Sequence, residues 1–331
     1  MIWFTWRQFR VPAVVTAVAL AALGVVLVIT GRSIAHMYAD VAGCQNDCGG
    51  AIDSFLAQVR GSVSGNVYDV ALMAVYALPG LIGVFWGAPL VARELETGTH
   101  RLAWNQSVTR TRWLATKLAL VGAATAAATG ILSAAVTVWA RHIDSASADR
   151  ITPMVFGARG IVPIGYALFA FALGVTAGML IRRTVPAMAA TLAVYVAAAA
   201  AMPLWIRAHL VPARHDTPAL DLERMNEISI HHDNTMRILG DGVAGAWTTS
   251  NQTITPSGQV FTGPADPTVC GPDGSLRACN DWLNSLGLRQ DLVYHPASHF
   301  WPLQWAETGV FVAVAALLTG FCFWWIRRRV A

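Results

Sequence analysis

Six stretches of the chain carry no Asp, Glu, Lys, Arg or His: residues 11–31, 70–92, 118–140, 160–181, 184–206 and 308–326. Each is 19 to 23 residues long, and a helix rising ~1.5 Å per residue needs roughly 20 residues to cross about 30 Å of hydrocarbon. Apolar and polar positions do not alternate within them, which excludes the strands of a barrel. Helices are then the remaining way to satisfy a backbone in lipid. Six buried helices of a soluble domain would leave a polar stripe on most of them. The pattern predicts an all-α polytopic membrane protein with six transmembrane helices.

Composition supports that class, with 55% hydrophobic and 13% charged residues against about a quarter charged in soluble chains. Positive charge then orients the spans. With both termini cytoplasmic, the inside pieces hold Arg7, Arg10, Arg93, Arg101, Arg110, Arg112, Lys117, Arg182, Arg183, Arg327, Arg328 and Arg329, which is 12 of the 23 basic residues in short segments. The other eleven are spread over 32–69, 141–159 and 207–307. A multi-pass protein of the plasma membrane is expected, with a basic cytoplasmic tail at 327–331. The net charge of +4 is distributed as membrane-flanking anchors, so membrane lipid is an expected partner and nucleic acid is not. Residues 1–10, with Trp3, Trp6, Arg7 and Arg10, combine aromatic and basic side chains and are expected to lie as a helix in the interface.

Residues 207–307 are long for a loop and predict an extracytoplasmic α+β-like domain before the last helix. The segment from Ala219 to Asp241 reads as helix, with Leu220, Met225, Ile228, Met236 and Leu239 on an apolar side. After it, β-branched and aromatic residues broken by Gly and Pro indicate short strands and turns. Cys44 and Cys48 fall in the first outside loop, and Cys270 and Cys279 in this domain. An oxidising compartment favours disulfides there, and the local pairs are preferred among three connectivities. Zinc is the rival, but the two pairs do not share a C-x-x-C spacing.

Chemistry on this chain is sparse. Lys117 is its single lysine and no P-loop pattern occurs, so any ATP work must belong to another chain. No metalloprotease motif is present, and no catalytic or metal-binding residue is assigned. His295 and His299 have helical metal spacing but are separated by Pro296, and His231 with His232 reads as a solvated face. Proton-coupled carriers place ionisable groups at membrane depth, and the six runs have none. An interior offering Tyr76, Trp86, Tyr166 and Tyr195 suits a hydrophobic or amphipathic cargo. Gly83 to Gly87 and Gly174 to Gly178 place small residues four apart for close helix packing, within the chain sooner than between chains.

The polar exception is "RELETGTHRLAWNQSVTRTRWLATK", residues 93–117, with four Arg, one Lys and two Glu between two uncharged runs. The second helix can extend through Glu94 and Glu96 until Gly98 lets the backbone turn sharply. A short transverse piece with Leu102 and Trp104 follows, and Ser107 or Thr109 can cap the third helix. A lever with its own transverse segment is what a membrane subunit needs when a separate motor pushes on it.

Glu94, Glu96, Gly98, Thr99, Leu102, Thr109, Arg110 and Lys117 stand in the order found in the permease subunits of type 2 ABC transporters, which the segment resembles. It is also similar to permeases common in high-GC actinobacteria, in keeping with one Lys against 22 Arg. The resemblance implies that Glu94, Glu96, Gly98, Thr99, His100, Arg101, Leu102 and Trp104 form the coupling region docking on an ABC ATPase. It implies two ATPase copies and a second permease copy or homologue as partners, and residues 1–10 as a flat connecting helix. A sensor or immunity protein binding an extracellular peptide, or a secondary transporter, remains the alternative.

Overall fold

A computed structural model describes residues 2–44, 48–99, 109–221, 225–230, 235–263, 266–270 and 275–328. Clustering of the chain gives two compact units, Met1–Leu210 with Trp301–Ala331, and Val211–Phe300.

The first unit is helical. Its elements are α1 (Ile2–Met37), α2 (Gly49–Gly61), α3 (Val63–Thr97), α4 (Arg110–Trp139), α5 (Arg141–Ala146), α6 (Pro153–Gly157), α7 (Val162–Ile181) and α8 (Thr184–His209). The second unit contributes α9 (Leu276–Ser285), and the chain then continues into α10 (Phe300–Arg328). Among the described residues, α1, α3, α4, α7, α8 and α10 are long and apolar enough to cross a membrane. All but α7 outrun the uncharged stretches. The 36 residues of α1 extend about 54 Å at 1.5 Å per residue, well beyond the hydrocarbon. Residues 2–10 are continuous with the first span through Pro12. In lipid a broken helix would expose further backbone groups, so one lost hydrogen bond at Pro12 costs less than a break.

Two apolar clusters hold this unit. Phe9, Trp86, Val91, Trp113, Leu114, Met179, Cys322 and Ile326 meet at the end where the basic residues of five helices gather. Leu27, Ile34, Phe55, Val59, Val136, Trp139 and Ile143 form the second cluster, which brings in α2 and α5. Between them, α3 and α7 approach through glycine. A Cβ on Gly83 would meet the Ala170 carbonyl oxygen at 2.6 Å, one on Gly87 the Phe171 oxygen at 2.7 Å, and one on Gly178 the Ala88 oxygen at 2.5 Å. The two small-residue pairs thus pack against each other within one chain, as lipid requires when dispersion replaces the hydrophobic effect. At this crossing α3 widens into a π-turn over Gly83–Gly87.

In the second unit, β1 (Arg214–Asp216), β5 (Arg289–His295) and β4 (Trp247–Ile254) form an antiparallel sheet in the order β1-β5-β4, with Arg214 opposite Tyr294 and Thr248 opposite Tyr294 on the other side. β2 (Met225–Ile230) and β3 (Met236–Gly240) pair as a separate antiparallel ladder. This corrects the helix expected across these residues. Along β3 the side chains of Met236 and Ile238 are buried while Arg237 between them is exposed, a period of two that belongs to a strand. Met236, Ile238, Cys279, Leu283 and Leu288 form the core, closing α9 over β3. The unit is also shorter than 207–307, because Arg207 to Leu210 and 301–307 belong to the helical unit. Cys44 pairs with Cys48 and Cys270 with Cys279, the local connectivity.

Gly174→Leu should lower the thermal midpoint of the detergent-purified protein by an amount equivalent to about 3 kcal/mol, the upper range for overpacking. Gly24→Leu should leave it unchanged, since nothing lies within 4 Å of a Cβ there. Equal midpoints for the two variants would contradict the glycine-mediated crossing.

Candidate functional site

The basic end of the helical unit is organised by two glutamates of α3. That helix ends at Thr97, and Gly98 follows at φ 72°, the left-handed conformation that glycine adopts without strain. Thr97 Oγ1 donates to the Arg93 carbonyl at 2.8 Å, closing the last turn. On the other side of the polar segment, Thr109 caps α4 by accepting from the Arg112 N–H at 3.3 Å. His100, Arg101, Leu102, Trp104 and Ser107 lie outside the described residues, so the transverse piece itself has no structural account.

Glu94 and Glu96 point to different neighbours. Lys117 Nζ donates to Glu94 Oε1 at 2.5 Å and to the Leu90 carbonyl at 3.1 Å, and stands 4.6 Å from the Trp113 ring centre. Lys117 is fully buried and Glu94 only 7% exposed, so the pair is removed from water. Its charges are neutralised by each other, which is the condition for a buried ion to be tolerated. Glu96 is exposed and its Oε2 accepts from the Thr184 N–H at 3.0 Å and from the Thr184 hydroxyl at 2.7 Å. A helix start leaves its first N–H groups without an internal partner and carries a partial positive charge. Glu96 therefore caps α8 from across the helix boundary. Together the two carboxylates tie α3 to α4 and α3 to α8 on either side of the polar segment.

The residues at the start of α1 belong to the same end. Phe9 is buried and meets Trp86 edge to face at 4.6 Å. Trp3 and Trp6 are exposed, as are Arg7 and Arg10, and the Arg7 guanidinium lies 5.4 Å from the Trp3 ring centre.

A second polar assembly sits at the opposite end and was missed by the sequence reading. Arg207 donates to both oxygens of Glu307, at 2.6 and 3.0 Å, and to the Pro153 carbonyl at 2.8 Å. Tyr166 adds its hydroxyl to Glu307 at 2.9 Å, and Tyr76 donates to the Met154 carbonyl at 2.8 Å. Gln304 accepts from the N–H groups of Ile161 and Val162 and donates to the Phe156 carbonyl, capping α7. Arg159 forks onto Asp144 at 2.8 and 3.0 Å. Arg159, Arg207, Gln304 and Glu307 are fully buried. These contacts lock the short α6 segment between α3, α8 and α10. The available signal was that Arg207 and Glu307 immediately flank uncharged runs with opposite charge, but taking run boundaries as membrane boundaries assigned both to a solvated loop.

Six helices long and apolar enough to cross a membrane suit a membrane transporter subunit. Residues 17–207 match the family described as "ABC-2 membrane transporter related", more than half of the chain, and the protein belongs to that family. Membership implies partnership with an ABC ATPase. No curated protein and no solved structure matches the chain.

Lys117→Met should remove the buried ammonium that pairs with Glu94 and destabilise the protein by about 3–5 kcal/mol. Adding Glu94→Met should restore most of that loss. Thermal unfolding of both variants checks the coupling, and additive losses would contradict it.

Proposed function

We propose that the protein is the permease subunit of an ATP-driven ABC exporter that moves a hydrophobic or amphipathic compound across the plasma membrane. In this reading both termini and residues 93–117 are cytoplasmic, and residues 211–300 lie on the outer side. Positive charge concentrated in the short segments at one end of the helices supports the orientation.

The observation that carries the coupling assignment is the double brace of Glu94 on Lys117 and Glu96 on Thr184 around the polar segment. A loop merely anchored to the membrane would move alone. Here a displacement of 97–110 must pass to α3, α4 and α8 together, because their ends share buried or capped contacts. The two carboxylates are thus the rigid base of the lever. Docking on the ATPase falls to the stretch from Gly98 and Thr99 through His100, Arg101, Leu102 and Trp104. Two ATPase copies, which hold ATP and magnesium, would drive a pair of permeases between two states that differ in their helix contacts. No nucleotide chemistry is assigned to this chain.

The test is co-expression with ABC ATPases of the same genome. Trp104→Ala should reduce ATPase co-purification by about tenfold, the scale of an aromatic interface anchor, with the thermal midpoint unchanged. Glu96→Ala should keep the ATPase bound and lower ATP-dependent transport. Full transport in vesicles without the ATPase, or collapse of transport by a protonophore while ATP remains, would overturn the reading in favour of a secondary carrier.

A further inference from the structure

A groove runs along the outer surface of the helical unit between α1 and α3. Val15, Ala19 and Leu23 form one wall and Ala74, Ala77 and Leu81 the other, enclosing a cavity of about 590 Å³. Its lining from Val11 to Leu23 covers twelve residue steps of α1, about 18 Å at 1.5 Å per residue. That is close to one leaflet of a hydrocarbon core about 30 Å thick. Pro12, Phe85 and Trp86 also line a second cavity of about 360 Å³, which continues the groove toward the basic end and includes Pro89, Arg93 and Glu94. The lining thus passes from aliphatic to aromatic to charged toward the basic end.

The charge at the mouth is positive. Glu94 is occupied by Lys117, whereas among the described residues Arg93 forms no ion pair and is exposed. Arg7 and Arg10 stand exposed at the same end of α1. Backbone geometry adds an independent observation. Phe85 and Trp86 lie in the π-turn of α3, a feature concentrated at functional sites, and this turn leaves Phe85 55% exposed over the groove while Trp86 is buried beneath it. α1 has little protein against it, with 6% of its spanning window buried.

We infer that this groove is a binding site for one anionic glycerophospholipid, with an acyl chain between α1 and α3 and its phosphate at Arg93. The lipid is a resident of the subunit, filling the gap that α1 leaves against α3. An uncharged occupant would give no role to the cationic mouth, and a soluble anion would not use the leaflet-deep aliphatic channel. The inference does not depend on what the subunit transports.

The test uses the full chain in detergent, supplied with micelles containing phosphatidylglycerol or phosphatidylcholine of identical chains, with retained lipid counted by native mass spectrometry. One phosphatidylglycerol per chain should be retained in preference to phosphatidylcholine. Arg93→Gln should lower its retention at least about fivefold, the contribution of one basic residue to an anionic lipid surface. Ala77→Phe and, separately, Val15→Trp should abolish retention by filling the groove; both positions are exposed, so the fold is preserved and a matching thermal midpoint verifies it. Equal retention of the two lipids, or undiminished retention in Arg93→Gln or in both filled variants, would overturn the proposal. So would filled variants that keep their lipid but shift from dimer to monomer, since a second copy would then be the occupant.

Discussion

The basic end of this bundle depends on a buried lysine. Lys117 has no exposed surface and lies among Trp113, Leu90 and the start of α4, where an uncompensated ammonium could not remain. Glu94 is its counter-charge, and the requirement fixes the relative rotation of α3 and α4 at the point where both leave the apolar core. Once that rotation is set, Glu96, two residues on, meets the free N–H of Thr184 and caps α8. Glu94 and Glu96 thus join the end of α3 to α4 and α8.

The same rule governs the opposite end with different residues. Arg207 and Glu307 come from helices far apart in the chain, and their bidentate pairing is completed by Tyr166 and the Pro153 carbonyl. Buried guanidinium groups are tolerated only when their donors find acceptors. Here the acceptors include backbone of the short α6, so the pair also places a segment that has little apolar surface of its own. Gln304 continues this arrangement by capping α7. Between the two charged ends, the glycine contacts of α3 with α7 supply close packing where the hydrophobic effect is absent.

Much of this was legible residue by residue. Long uncharged runs announced the six helices, because hydrocarbon excludes charge. Gly98 marked the end of α3 and Thr109 the start of α4, since left-handed backbone and side-chain capping are local requirements. The glycine pairs indicated close crossings, and the short cysteine spacings favoured local disulfides. The strands β2 and β3 were read wrongly because apolar residues there satisfy helical spacing as well as alternation, and only the packing of Met236 and Ile238 on α9 selects the period of two.

The sequence alone determined that the chain is a polytopic helical protein with one polar segment between its second and third spans, because hydrophobic length and local turn chemistry are properties of consecutive residues. Tertiary structure alone decided the partners of Glu94, Glu96, Arg207 and Glu307. Ion pairing between helices depends on rotation about each helix axis. That rotation is set by contacts separated by many residues, which no local pattern records.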